Sequence, residues 1–219
     1  VMNMNAYLGI GTTSGFVKAD AGVLNLNKPA YYTGGNTTVN GGTLNLNSGA
    51  DNTLAVVPGA TTPTVTPLNV NGSTSVVDLK NFNQTVGVIQ NNNSGNAFAG
   101  TGGTITNSGA STVNLTTVST AANSTFSGAL TGKLALIKAG TNTLTLTNAS
   151  NYTGATIIRG GTLQLRDSGS ISSTAGLTIN YGTLNWDNFG LNPTGNLNPT
   201  RIAANNPITL QGKIGRASC

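Results

Sequence analysis

The chain has 219 residues, of which 37% are hydrophobic and only 7% charged, with a net charge of +5 and no histidine. One cysteine leaves no internal disulfide, and without histidine a serine–histidine system is excluded and a zinc site has almost no ligands. The ten Lys and Arg form no basic run and no basic-aromatic stripe, and no apolar run is long enough to span a bilayer. Nucleic acid, a membrane span and a bound cofactor are therefore not expected.

Asparagine and threonine are each at least as frequent as the 30 glycines, and the five acidic residues are all aspartate. Thr, Val and Ile favour strands, while Asn and Gly favour turns. No window carries a sustained period near 3.6, so the chain is predicted to be all-β. Regular alternations such as "VLNLN" and "TLTLT" argue against a disordered polar segment.

In chain order, "VKADAGVLNL" runs from Val17 to Leu26, with Lys18 at its start and Leu24 and Leu26 alternating with polar residues. A turn follows with Tyr32, Thr33 and Gly34, then Gly41–Gly42 and a second alternation through Leu44 and Leu46. The proline-rich stretch 56–70 reads as a loop or bulge, because proline cannot donate within a central strand. Alternation resumes at "VVDLKNFNQTVGVI", Val76 to Ile89, and continues through "GTITNSGASTVNL" and "STFSGAL".

"IKAGTNTLTLTNASNYTGA", Ile137 to Ala155, then restates the first phrase about 120 residues later. Lys138 matches Lys18, Leu144 and Leu146 match Leu24 and Leu26, and Tyr152, Thr153 and Gly154 match Tyr32, Thr33 and Gly34. Gly160–Gly161 with Leu163 and Leu165 complete the second copy. "INYGTLNWDNFG", Ile179 to Gly190, is a further variant, and 188–207 reads as a second loop-rich excursion.

The leading leucines recur about every 20 residues, a period that fits one turn of a β-helix. In each coil the leucines point inward and Asn and Thr outward, and successive coils stack about 4.8 Å apart. Five even periods would fill the gap from Leu44 to Leu144, with Val65, Val86, Ile105 and Phe126 near the steps. About eleven coils are then expected, in a rod of roughly 50 Å. The whole chain, 1–219, is read as one parallel β-helix with coils of about 20 residues.

The phrases Lys18 to Leu46 and Lys138 to Leu165 resemble the autotransporter-associated β-strand repeat of bacterial surface passengers. The first copy departs from it, with "VKADAG" in place of a more glycine-rich turn. The resemblance implies a right-handed β-helix at the extracellular surface of a Gram-negative-type bacterium. It also implies a repeat that assists passage across the outer membrane and is not itself catalytic.

Because the chain opens and closes within a repeat, it is expected to continue by stacking. The neighbour would be flanking repeats of a longer chain, or a further copy of itself joined head-to-tail as a fibre, stalk or surface layer. The alternative is an adhesin that holds surface polysaccharide through loops 56–70 and 188–207, with Trp186 and Phe189 as the sugar-stacking candidates. Asp167 and Asp187, about one coil apart, are the best candidate carboxylate pair for sugar hydrolysis, against the ordinary use of aspartate in turns. Thr143, Thr145 and Thr147 form one polar row, too short for a repeated flat binding face.

Overall fold

The computed structural model describes residues 1–9, 14–31, 35–54, 65–91, 98–119, 122–188 and 200–212. These residues form short parallel strands with no helix, stacked as a β-solenoid of about eight turns with roughly 21 residues per coil. Each coil has three faces.

The first coil contributes β1 (Met2–Met4), β2 (Leu8–Gly9) and β3 (Phe16–Lys18), one to each face. The second adds β4 (Val23–Leu26), β5 (Ala30–Tyr31) and β6 (Thr37–Val39). The third has β7 (Thr43–Leu46), a single bridge residue, Leu54, and β8 (Leu68–Val70). The fourth has β9 (Val76–Asp78), β10 (Gln84–Val86) and β11 (Ile89–Gln90). The fifth has β12 (Thr104–Asn107), β13 (Val113–Val118) and β14 (Ser124–Phe126). The sixth has β15 (Ala129–Gly132), β16 (Leu134–Ala139) and β17 (Thr143–Leu146).

From there the first face narrows to single bridges such as Ala149 with Ser170. The other two faces continue as β18 (Thr156–Ile158) with β19 (Thr162–Arg166), then β20 (Leu177–Asn180) with β21 (Thr183–Asp187). Finally β22 (Ile208–Gln211) pairs with β20 on the second face.

The first face is one ladder, β1-β4-β7-β9-β12-β15, and the second carries β10-β13-β16-β18-β20-β22. On the third face, β3-β6-β8-β11 and β14-β17-β19-β21 meet where Asn91 N–H donates to Thr125 O, 3.4 Å away. One rung of the second face is made by a side chain. The Gln84 amide accepts from Leu54 N–H at 3.1 Å and donates to Leu54 O at 3.0 Å, standing in for a peptide group.

Period-two alternation does what the sequence predicts. The eight repeat leucines, Leu24, Leu26, Leu44, Leu46, Leu144, Leu146, Leu163 and Leu165, all point into one continuous core. Burying each such side chain contributes on the order of 2 kcal/mol. Outside, asparagines stack as amide ladders: Asn45 Nδ2 donates to Asn25 Oδ1 at 2.7 Å, and Asn25 Nδ2 to Asn3 Oδ1 at 2.6 Å. A second ladder joins Asn47, Asn27 and Asn5.

The even spacing between the two copies is not what the chain does. Leu44 pairs with Val77, Val77 with Ile105, and Ile105 with Leu130. These steps are 33, 28 and 25 residues long, not an even 20. There are consequently about eight turns and not eleven, and Leu144 stacks against Ser124 on the third face while Leu44 lies on the first. The second copy is turned by one face relative to the first: Lys18 sits on β3 of the third face, Lys138 on β16 of the second.

Candidate functional site

Of the residues that the repeat shares, the two lysines have the least ordinary surroundings. Lys18 is 9% exposed and Lys138 is 0% exposed. Both occupy inward positions of their strands: Lys18 pairs with Val39, and Lys138 pairs with Ile158. Lys18 Nζ donates to the carbonyls of Ala19 at 2.8 Å, Asp20 at 2.7 Å and Gly41 at 2.9 Å. Lys138 Nζ donates to the matching carbonyls of Ala139 at 2.8 Å, Gly140 at 3.4 Å and Gly160 at 3.4 Å. Burial alone pushes the Lys138 ammonium down to about 8.

The turns that supply these carbonyls explain the glycines. Gly42 and Gly161 adopt φ of 63° and 60°, in the left-handed region. A Cβ on Gly161 would stand 2.3 Å from Asn142 O and 2.9 Å from Lys138 Nζ. The departure "VKADAG" is also resolved: Asp20 takes φ of 62° where its counterpart Gly140 takes 79°. Aspartate is among the few side chains that tolerate this conformation, so the turn keeps its shape and its carbonyl keeps its lysine.

Tyr152 is fully buried, and its hydroxyl joins Thr156, which in turn bonds Thr174 at 2.9 Å. Burial pushes its phenol well above the ordinary range. Thr153 is exposed, and Gly154 N–H donates to Leu134 O at 2.9 Å. Their first-copy counterparts Tyr32, Thr33 and Gly34 lie outside the described residues, as does Phe189.

Trp186 lies on β21, not in the loop after it, and is 57% exposed. It pairs with the core residue Leu165, and Leu184 pairs with Leu163. On β22, Ile208 and Leu210 pair with Leu177 and Ile179, yet are 53% and 54% exposed. Core-register side chains thus stand open on the last described strands of two faces. At the remaining corner, Arg201 is 3% exposed and donates to the carbonyls of Gly169 at 2.6 Å, Asp167 at 3.1 Å and Asp187 at 3.1 Å. Nothing in the sequence marks Arg201 for this position.

Of the two loop-rich stretches, 65–70 is described within the first and ends in β8; 200–207 is described within the second and contains Arg201. Asp167 sits in a left-handed turn, with Oδ2 3.3 Å from Arg166 Nε. The Oδ2 of Asp187 accepts from Gln164 Nε2 at 3.0 Å. Both carboxylates are engaged by neighbouring side chains. Thr145 and Thr147 are buried, so the threonine row is not an open face. Among the described residues no group of acidic or cysteine side chains could hold a metal ion, and no helix is long and apolar enough to cross a membrane.

Comparison with known proteins agrees with this geometry. The passenger-associated-transport-repeat family matches residues 16–46 and 136–165, the two segments that begin at the buried-lysine strands and end at the second leucine pair. The chain is also 37% identical over 97 residues to the adhesin BmaC autotransporter of Brucella suis biovar 1 (strain 1330). That stretch is 44% of this chain and 2% of the relative, so the match spans a small fraction of that protein's length. No solved structure matches. The chain is a β-solenoid with two segments that match the passenger-associated transport repeat, and these matches and the adhesin relative support its likeness to the autotransporter-associated repeat family.

Proposed function

We propose that this chain is a rigid structural segment of a bacterial surface passenger, displayed outside a Gram-negative-type cell and lengthened by stacking coils. The observation that carries the reading is the continuous core, which runs through both repeat copies and leaves side chains of core register exposed on β21 and β22. Its work is mechanical: parallel ladders and stacked side chains give an extended rod, the repeat is named for association with passenger transport, and one relative is an adhesin autotransporter. Antibodies against the chain should label intact cells of the source bacterium, and external protease should remove the label. Signal seen only after the cells are permeabilised would overturn the reading.

The neighbour on the open strands is another solenoid coil, from flanking repeats or from a second copy stacked head-to-tail. An added coil would cover Leu184, Trp186, Ile208 and Leu210 with apolar side chains at alternate positions and would pair the β21 and β22 edges. Electron microscopy of native material should show rods longer than the roughly 40 Å that eight coils span. Uniform particles of that length would count against stacking. The second reading, contact with surface polysaccharide, draws on the exposed indole of Trp186 and the exposed ring of Tyr181, five residues earlier in the chain. Saturable glycan binding that is lost in Trp186→Ala, with rod length unchanged, would place the sugar reading first.

A further inference from the structure

We propose that Lys18 and Lys138 are coil latches, each ammonium locking the turn after its own strand to the corresponding turn of the next coil. Two of the three carbonyls around Lys138 belong to its own turn, Ala139 and Gly140, and the third, Gly160, belongs to the turn one coil later. Lys18 repeats the arrangement with Ala19, Asp20 and Gly41. An ammonium has three protons and no acceptor, so each cage uses its full donor set.

Neither lysine has an acid to justify its burial. Among the described residues the salt bridges are Lys80 with Asp78 and Arg166 with Asp167. A buried, unpaired cation is expensive unless every proton is bonded, which is what both cages provide. The two copies also lie on different faces, so the cage has been kept while its place around the axis changed. A lysine retained only to pack one face would not need the same three carbonyls.

The glycine pair is the other half of the device. The left-handed turns at Gly42 and Gly161 bring successive corners into backbone contact. A side chain at Gly161 would enter the Lys138 cage itself. Arg201 performs a related task with a larger head: its guanidinium joins Asp167 and Gly169 to Asp187, again one coil apart. Each repeat copy is therefore a two-coil unit whose corners open together.

Hydrogen exchange on the full chain tests this. Lys138→Met keeps the apolar stem and removes the three donors. The amides of Arg159 and Thr162, which bond across these corners, and of Asn142, which ties the Lys138 turn to Ser119 of the coil before, should exchange at least about tenfold faster, the loss of roughly one charged hydrogen bond. The amides of Asn40 and Thr43, at the Lys18 cage, should be unchanged. Methylammonium added to Lys138→Ala should restore protection at both turns. Unchanged protection, or loss at Asn142 with Arg159 and Thr162 unaffected, would overturn the latch.

Should either variant fail to fold, the wild-type chain decides. In a chain labelled with nitrogen-15 lysine, the Nζ protons of Lys138 should exchange slowly while those of exposed Lys28 exchange fast. Equal rates at the two lysines would overturn the proposal.

Discussion

Gly161→Ala separates close approach from backbone conformation when it is paired with Gly49→Ala. Both glycines have positive φ, 60° and 81°, so both variants bear the left-handed penalty of an L-residue, about 1 kcal/mol. Gly49 has open space at its Cβ position, so Gly49→Ala should stop there. At Gly161 the new methyl would stand 2.3 Å from Asn142 O and 2.8 Å from Gly140 O, both backbone atoms that cannot swing aside. Relief requires the corner to move, which strains Thr162 N–H to Asn142 O at 3.2 Å and Thr183 N–H to Gly161 O at 2.8 Å. Two weakened ladder bonds at about 1 kcal/mol each, with a disturbed lysine cage, bring the total to about 3–5 kcal/mol. Urea unfolding followed by far-ultraviolet circular dichroism measures both variants against the parent. Equal midpoint shifts for Gly161→Ala and Gly49→Ala would refute the close-packed corner.

Four further outcomes follow from the same structure. Leu44→Ala, in the sealed core, should destabilise by about 3 kcal/mol, while Leu184→Ala on the open β21 should cost less than about 1 kcal/mol; unfolding midpoints compare them. Asp20→Gly should raise stability by about 1 kcal/mol, because it removes a left-handed aspartate whose carbonyl, not its side chain, serves Lys18. Lys138 should lose its proton near pH 8, whereas an unfolded lysine holds it to 10.5; the unfolded chain then binds more protons between these values. Stability should accordingly rise with pH across that window; a nitrogen-15 titration and urea midpoints at pH 7.5 and 10 check both. The fluorescence of Trp186 should report a solvated indole at low protein concentration and shift to the blue as ends associate, and a spectrum independent of concentration would argue against stacking by a second copy.

The direction of each side chain, in or out, was legible in the sequence; the face on which it lies was not. Alternation of two fixes that Leu24 and Leu26 point inward, and all eight repeat leucines do. Alternation carries no information on which of three faces a strand joins, because the strands of all faces look alike. Only the lengths of the segments between paired strands set the face, and the steps of 33, 28 and 25 residues from Leu44 to Leu130 break an even count. The lysines had a readable signal. In "LALIKA" Lys138 falls on the inward phase set by Leu134 and Leu136, and in "FVK" Lys18 falls in phase with Phe16, which packs against the core. Lysine is ordinarily a surface residue, so phase and residue type conflict there, and phase prevails because the turn carbonyls supply acceptors. Trp186 shares the same inward phase in "TLNW", which explains its pairing with Leu165. Arg201 lies in the stretch between the alternations of β21 and β22 and has no phase to read.

What the repeat specifies is a corner. In the first copy the corner joins the third face to the first, through β3 and β4; in the second it joins the second face to the third, through β16 and β17. Within each copy the next coil brings the same corner round again, β6 to β7 and β18 to β19, and the lysine of the earlier corner reaches the glycine of the later one. A distance of about 120 residues between copies therefore need not be a whole number of coils. A corner of this kind can be built at any of the three edges, provided the coil that follows presents its glycine pair in register. Lengthened coils between the copies change which edge is used and leave the cage intact, because the bonds that define it lie within one copy. This is why the phrase survives as a phrase across a chain whose coil lengths do not: its residues answer to one another across a single coil step, and not to a fixed position around the rod.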